Sequence, residues 1–348
     1  MLYLNLEKHV IISDLEKAFL QVGLKPCDRN TTCFLWLKDP YGPVTKDNLL
    51  TLRFTRVAFG IISSAYLLAA VITHHLKKYG TPLSWEILKS IYIDNVLFAA
   101  DTTEEAIAKF HESIQLFKTA KMNLRDHISN SPELNQYFSQ HQRIPNGPHK
   151  ILGIPWDIVT DSLIMKSLKM PENIAKWTKR NVLKTIAQAF DPLGFLSPVH
   201  LKGKIFFQSL WKKSYSWDQP LDDVDKEIWL NILTETCGAT VCIPRHLLKN
   251  SQNAQNAKFE LHVFVDASKY AYAVACYLKI IANDSTTTML IFSKSRLTPS
   301  KGLSIPKLRT PWIIYWLSNT AKFIIKEMNY NFDQVYFWTD FALRYLLD

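Results

Sequence analysis

Long hydrophobic runs are missing from this chain of 348 residues. The longest, Ala58 to Ile72, falls short of the roughly 18–20 apolar residues that a membrane span needs. The opening "MLYLNLEKHVIISD" carries charges inside its apolar stretch and has no small-residue cleavage site, so it is not a signal peptide. Paired cysteines are missing as well. The five present are an odd number without a CxxC spacing. They read as reduced thiols of an intracellular protein, cytoplasmic or nuclear and not secreted. Cys237 and Cys242 have no His/Cys cluster beside them, which argues against zinc there. Internal repeats and low-complexity tracts are absent. What is plentiful is apolar residues, at 47%, enough for a sizeable core. Lysine and arginine (41) exceed aspartate and glutamate (31), a net charge of +10 that favours an anionic partner such as nucleic acid.

The positive charge is uneven. Residues 150–216 hold eleven Lys/Arg and four acids, whereas residues 217–257 hold six acids and three bases. A boundary is placed in the second window, which ends in the polar run "KNSQNAQNAK".

Two carboxylates near the N-terminus stand out. In "EKHVIISDLEKAFL", a short β-branched strand, Val10 to Ile12, leads to Asp14. Asp14 either caps the helical turn that follows or stands ready at a strand end as a ligand. In "SIYIDNVLFAAD", Ile91–Ile93 and Val96–Phe98 read as strands around Asp94-Asn95. That pair is either a two-residue hairpin turn, since Asn tolerates positive φ, or half of a metal site. Two carboxylates at neighbouring strand ends can hold Mg²⁺, which wants oxygen ligands and keeps several waters. Between them, Gly60 and Ser63-Ser64 mark a helix start, and Leu68, Ile72 and Leu76 share one helical face.

The order "SDLEKAFLQ", "RVAFGIISSAYLL", "YIDNV" resembles a reverse-transcriptase palm. More narrowly it is similar to the Pao (BEL) group of LTR retrotransposons. The same group is matched by "CFLWLKDP" (Cys33–Pro40), "LRDHISNS" (Leu124–Ser131), "ILGIPWD" (Ile151–Asp157) and "FDPLGFLSPV" (Phe190–Val199). The resemblance covers nearly the whole chain. It implies a multidomain α+β fold: a palm of antiparallel sheet and helices over 1–149 with most of the fingers missing, a thumb-like basic helical region over 150–216, a connection over 217–257, and a truncated RNase H-like α/β domain over 258–348.

It also implies an RNA-directed DNA polymerase, part of a polyprotein. Its partners are an RNA template, a DNA primer or RNA–DNA hybrid, and deoxynucleoside triphosphates, with Mg²⁺ or Mn²⁺ as cofactor. Asp14 matches the first catalytic aspartate and Asp94 the first aspartate of the Tyr-x-Asp-Asp turn. Asn95 stands where that motif has a second aspartate; it is isosteric but uncharged. Phe19 matches the aromatic that excludes a 2′-OH. Gly60 matches a position where backbone must approach the nascent base pair. The alternative is a catalytically degenerate, nucleic-acid-binding remnant.

In the basic middle region, "PENIAKWTKRNVLKTIAQAFDPLGFLSP" reads as helices around a Pro/Gly turn, with Pro171 at a helix start. Ile174, Trp177, Val182, Ile186 and Ala189 form an apolar stripe; Lys176, Lys179, Arg180 and Lys184 form a basic face. By resemblance that face hugs template–primer phosphates, without sequence preference and with strong salt dependence.

Further on, "FELHVFVDASKYAYAVACYL" alternates, with Leu261, Val263 and Val265 on one face. Two more strands, at Ala271–Tyr277 and Thr288–Phe292, precede a helix from Pro311 to Met328. "QVYFWTD" then forms a fourth strand. Asp266 and Asp340 end the first and fourth strands, as in an RNase H fold. Arg309 occupies the place of that fold's glutamate, and Glu327 lies about 27 Å further along the helix at 1.5 Å per residue. RNase H activity is therefore not expected.

Overall fold

A computed structural model describes residues 6–142, 147–172, 174, 176–248, 257–282, 285–299 and 311–339. They form a mixed α+β fold in two units, Lys8–Gly147 and Pro148–Asp348 with Met1–Glu7. In chain order the first unit has β1 (His9–Leu15), the short α1 (Ala18–Gln21), a hairpin of β2 (Cys33–Leu37) and β3 (Leu49–Arg53), α2 (Ser64–Tyr79), α3 (Pro82–Ser90), β4 (Asn95–Ala100), α4 (Thr103–Thr119), β5 (Leu124–Ser129) and α5 (Pro132–His141). β1 is the centre of an antiparallel sheet of order β4-β1-β5.

The helical period read around Leu68 is the packing period of α2. Leu68, Ile72 and Leu76 are buried against the sheet core with Phe98, Phe110 and Leu124. Gly80, at φ 74, ends α2 by donating its N–H to the Leu76 carbonyl, a left-handed cap that suits glycine. α4 begins with the Thr102 hydroxyl accepting from the Glu105 N–H, and Glu104 and Glu105 sit favourably at its positive end.

The second unit starts with β6 (His149–Ile151), β7 (Ile154–Asp157) and β8 (Ser162–Lys166). Three helices follow: α6 (Lys179–Ile186), α7 (Ser197–Lys212) and α8 (Asp223–Thr236). β9 (Thr240–Pro244) returns to complete the sheet β6-β7-β8-β9. Where β9 ends, Arg245 is 1% exposed and grips Asp161 with two hydrogen bonds, Nε to Oδ1 at 2.7 Å and Nη2 to Oδ2 at 2.6 Å. Trp156 Nε1 donates to the same carboxylate at 2.9 Å, and Arg245 Nη1 donates to the Glu7 carbonyl at 2.9 Å. Loss of one partner from a buried pair of this kind is costly, because the other keeps its charge without the opposite charge that compensates it.

The last part contains β10 (Lys258–Ala267), β11 (Ala271–Ala282), β12 (Ser285–Leu297), α9 (Pro311–Met328) and β13 (Gln334–Trp338). The sheet order is β12-β11-β10-β13, with β13 parallel to β10 and the other pairs antiparallel. Leu261, Val263 and Val265 are all buried, on the side where α9 contributes Leu317, Ala321, Ile324 and Met328. The alternation read in that strand is thus its division into a covered and an open face.

One expected boundary moves. The first basic helix does not start at Pro171. Residues 176–178 lead into α6 only at Lys179, where the Thr178 hydroxyl accepts from the Asn181 N–H. The segment before it is held extended: the Leu221 N–H donates to the Trp177 carbonyl, and Thr178 bridges Pro220. A tertiary backbone pairing has replaced the first turns of helix.

Among the described residues no helix is long and apolar enough to cross a membrane.

Candidate active site

Asp14 lies within β1, one residue before its end, and does not cap a helix. α1 begins three residues after Glu16's neighbour Leu15 with Lys17 as its flanking residue, and no side-chain cap is made there. Across the sheet Asp14 pairs in register with Asn95, and the Leu15 N–H donates to the Asp94 carbonyl at 2.9 Å. The sheet therefore brings Asp14, Asp94 and Asn95 together.

The turn before β4 is real but shifted by one residue from the reading Asp94-Asn95. Tyr92 and Asn95 exchange N–H···O bonds of 3.0 and 2.9 Å, so the two loop residues are Ile93 and Asp94. Ile93 carries φ 57, an uncommon value for a β-branched residue. Asn95, expected as the residue tolerant of positive φ, is instead the first residue of β4.

The electrostatics follow from this crowding. Burial and then the Asp94 charge raise the Asp14 pKa above its ordinary value of 3.8; Arg125 opposes the rise. The Arg125 Nε lies 3.6 Å from Asp14 Oδ2 and 3.5 Å from Asp126 Oδ2, and its Nη1 donates to Glu16 Oε1 at 3.0 Å. Arg125 reaches the site because β5 is bulged. Ile12 pairs with Ile128 but Asp14 pairs with Arg125, leaving one extra residue on β5, where Asp126 has φ 55. Nothing in the motif "LRDHISNS" singles out Arg125, since no pattern of spacing marks a bulge.

The donor set Asp14, Asp94 and the Asn95 side-chain oxygen is all hard oxygen, and the two carboxylates repel one another. That chemistry fits a divalent cation that keeps several waters. Asn95 Nδ2 donates to Asp94 Oδ1 at 3.1 Å, so the amide already orients one carboxylate. Among the described residues no group of three or more His, Cys, Asp or Glu is placed to hold a metal.

Phe19 is 9% exposed and meets Phe59 edge-on, with ring centroids 4.8 Å apart; Phe59 itself is 69% exposed. Gly60 has φ 84, and a Cβ there would meet nothing within 4 Å. Its glycine is required by the backbone conformation, and the space above it is open.

The expected basic face is divided. Lys176 and Lys184 are exposed. Arg180 is also exposed but is paired with Asp218 through bonds of 2.7 and 3.0 Å. Lys179 is not on that face at all. It is 3% exposed, donates to the Tyr215 carbonyl at 2.5 Å, and lies 3.8 Å from the Trp211 ring centroid and 5.1 Å from that of Trp217. The spacing contained the warning: Lys179, Val182 and Ile186 stand three and four residues apart, on the apolar face.

In the second unit, Asp266 lies near the end of β10, exposed, with Oδ1 accepting from the Ala267 N–H at 2.6 Å. Arg309 and Asp340 lie outside the described residues.

Residues 178–341 match the family described as the Pao retrotransposon-like RNaseH-like domain. This span, just under half of the chain, is similar to that family. The Pao span opens at Thr178, the cap of α6, so it takes in the helices α6–α8 as well as the sheet β12-β11-β10-β13. Among solved structures, the chain is similar to the foamy viral protease-reverse transcriptase described in complex with ds DNA. The TM-score is 0.55 at 13% identity, over 99% of this chain and 52% of that one. The chain therefore spans about half the length of that protein, and the likeness is one of fold. No curated protein matches the chain. The Pao-type RNase H-like region expected from the motifs is borne out, with a fold like that of a reverse transcriptase, as is the α+β class with an RNase H-like domain at the C-terminal end.

Proposed function

We propose that the chain is the polymerase portion of a retrotransposon polyprotein, acting on an RNA template and DNA primer, with Asp14 and Asp94 as the carboxylate ligands of Mg²⁺ or Mn²⁺. The observation that carries this is the β1–β4 register, which sets Asp14 opposite Asn95 and close enough to Asp94 for one charge to raise the pKa of the other. A bound cation there supplies charge neutralisation for a 3′ oxygen attacking a triphosphate. The protein supplies the rest. Asp14 and Asp94 hold the negative charge in place, Asn95 orients Asp94, and Arg125 restrains Asp14 through an ion pair. Phe19, fixed by its packing, supports the reading that its ring bars a 2′-OH. The open space at Gly60 leaves room for a base pair. Lys176 and Lys184, exposed, serve phosphate; Arg180 does so only by exchanging Asp218, and Lys179 is withdrawn from that role.

Primer extension on an RNA template with Mg²⁺ or Mn²⁺ tests this. Wild type extends the primer, and Asp14→Asn lowers the rate at least about 100-fold. No extension, or extension that survives Asp14→Asn, ends the polymerase reading.

A second reading is favoured by the site's own hydrogen bonds. Asn95 donates a hydrogen bond to Asp94, and the Arg125 charge stands 3.6 Å from Asp14, where it competes with a cation. In that reading the chain is a silent nucleic-acid-binding remnant. Salt-dependent binding to hybrid duplex without extension is its signature. In either reading, Arg309 in place of an acid leaves the RNase H-like domain without hybrid cleavage.

A further inference from the structure

A cavity of about 690 Å³ lies within the second unit, between the start of α7, the edge strand β12 and α9. Its volume is in the roughly 300–1,000 Å³ range of small-ligand sites, room for a nucleotide or two and not for a duplex. Three cations line it, Lys204, Lys294 and Arg296, and none of them forms an ion pair among the described residues. One acid, Asp191, lines it too, and its Oδ2 already accepts from the Leu196 N–H at 2.7 Å. Ser197 opens α7 without a side-chain cap and without an acidic residue in the first turn, so the positive end of that helix adds to the field.

The third wall is aromatic. Tyr315 and Phe323 both stand on α9; Tyr315 is 67% exposed, whereas Phe323 already packs against Phe292 with ring centroids 5.6 Å apart. Trp316 is held edge-on by Tyr272 at 4.8 Å, with the Arg296 guanidinium 5.8 Å from its ring centroid. Open ring faces beside uncompensated cations match a base joined to a phosphate. Stacking on an exposed ring needs an unstacked base, which a single strand offers and a duplex does not.

We propose that this cavity binds single-stranded nucleic acid, one base stacking on Tyr315 and the adjacent phosphate held by Lys294, Arg296 and Lys204. The site does not depend on the carboxylate pair of the first unit, so it stands or falls apart from the polymerase reading. The open face of the same sheet is the weaker candidate. There His262, Tyr336, Trp338 and Phe264 stack on one another, so their ring faces are already used.

The test is fluorescence anisotropy with a labelled oligothymidylate 12-mer and a labelled 12-base-pair duplex, on the full 348-residue chain. Wild type binds the single strand. Tyr315→Ala and the double variant Lys294→Glu/Arg296→Glu each weaken that binding at least about 10-fold and change duplex binding less than about 2-fold. Tyr315 is mostly exposed, so its truncation leaves the fold intact, as unchanged circular dichroism will confirm. Competition by millimolar dAMP identifies a free nucleotide as sufficient; its failure identifies a strand with several contacts. The proposal is overturned if wild type does not bind the single strand, if Tyr315→Ala binds it as wild type does, or if the variants weaken strand and duplex equally.

Discussion

Gly194 offers the sharpest quantitative test of how the second unit is assembled. It sits in "FDPLGFLSPV" at φ 79, and a Cβ there would lie 1.8 Å from the Ser293 carbonyl oxygen. The turn docks on the edge of β12: the Ser293 N–H donates to the Leu193 carbonyl at 2.8 Å, and the Ser293 hydroxyl donates to the Gly194 carbonyl at 2.5 Å. Gly194→Ala must first accept a left-handed conformation, at about 1–2 kcal/mol. It must then separate the turn from the strand, losing two hydrogen bonds at about 0.5–1.5 kcal/mol each. The total is about 2–5 kcal/mol. Gly238 is the control, with φ 78 and nothing within 4 Å of its Cβ position. Gly238→Ala carries the conformational cost alone. The assay is native-state hydrogen exchange at the Ser293 amide, which reads local opening. Gly194→Ala should speed that exchange about 30-fold or more, since each 1.4 kcal/mol is about tenfold. Gly238→Ala should leave it nearly unchanged. Equal protection of Ser293 in wild type and Gly194→Ala would refute the reasoning, because the edge pairing would then not depend on the missing Cβ.

Other outcomes follow from charge and burial. The Asp14 pKa is raised, so the folded state holds its proton more tightly than the unfolded chain, and stability falls as pH rises above the ordinary value of 3.8. Asp14→Asn should flatten that fall in a thermal-melt series across pH, and Mg²⁺ should raise the melting temperature of wild type but not of the variant. Burial pushes the His127 pKa down to about 4 from 6.5, so its contribution is intact above 6.5 and is lost as pH drops toward 4. The loss is about 3 kcal/mol at most, and His127→Gln should remove that part of the acid sensitivity in urea titrations at pH 7 and 4.5. Arg245→Ala should cost about 3–5 kcal/mol by stranding Asp161, whereas Arg245→Met with Asp161→Leu should recover most of it in the same urea assay.

The sequence made some of this legible and concealed the rest for physical reasons. Periodicity revealed α2 and the covered face of β10, because burial on one side of a regular element repeats with that element's own period. Asp14 and Asp94 were legible as candidates; their juxtaposition was not, since register is set by pairing over eighty residues of intervening chain. The identity of the left-handed turn residue is not legible from local preference. Asn95 has the preference, but the sheet register places Ile93 there. Lys179 was assigned by its charge when its spacing placed it on the apolar face, where two indole rings and a carbonyl receive the ammonium. Asp161 and Arg245, 84 residues apart, carry no local signal of each other.

The parallel pairing of β10 with β13 also bears on synthesis. As the chain leaves the ribosome, β10, β11 and β12 can fold as a meander of neighbours. The outer edge of β10 stays bare until Gln334–Trp338 emerges, some seventy residues after β10 is complete. Through that interval a nascent strand bearing Leu261, Val263 and Val265 offers its unpaired amides and carbonyls to any other strand nearby. On a polysome, where several copies of one message product lie side by side, translation speed through residues 268–333 then governs yield. Slower decoding there should raise the share of chains lost to aggregation.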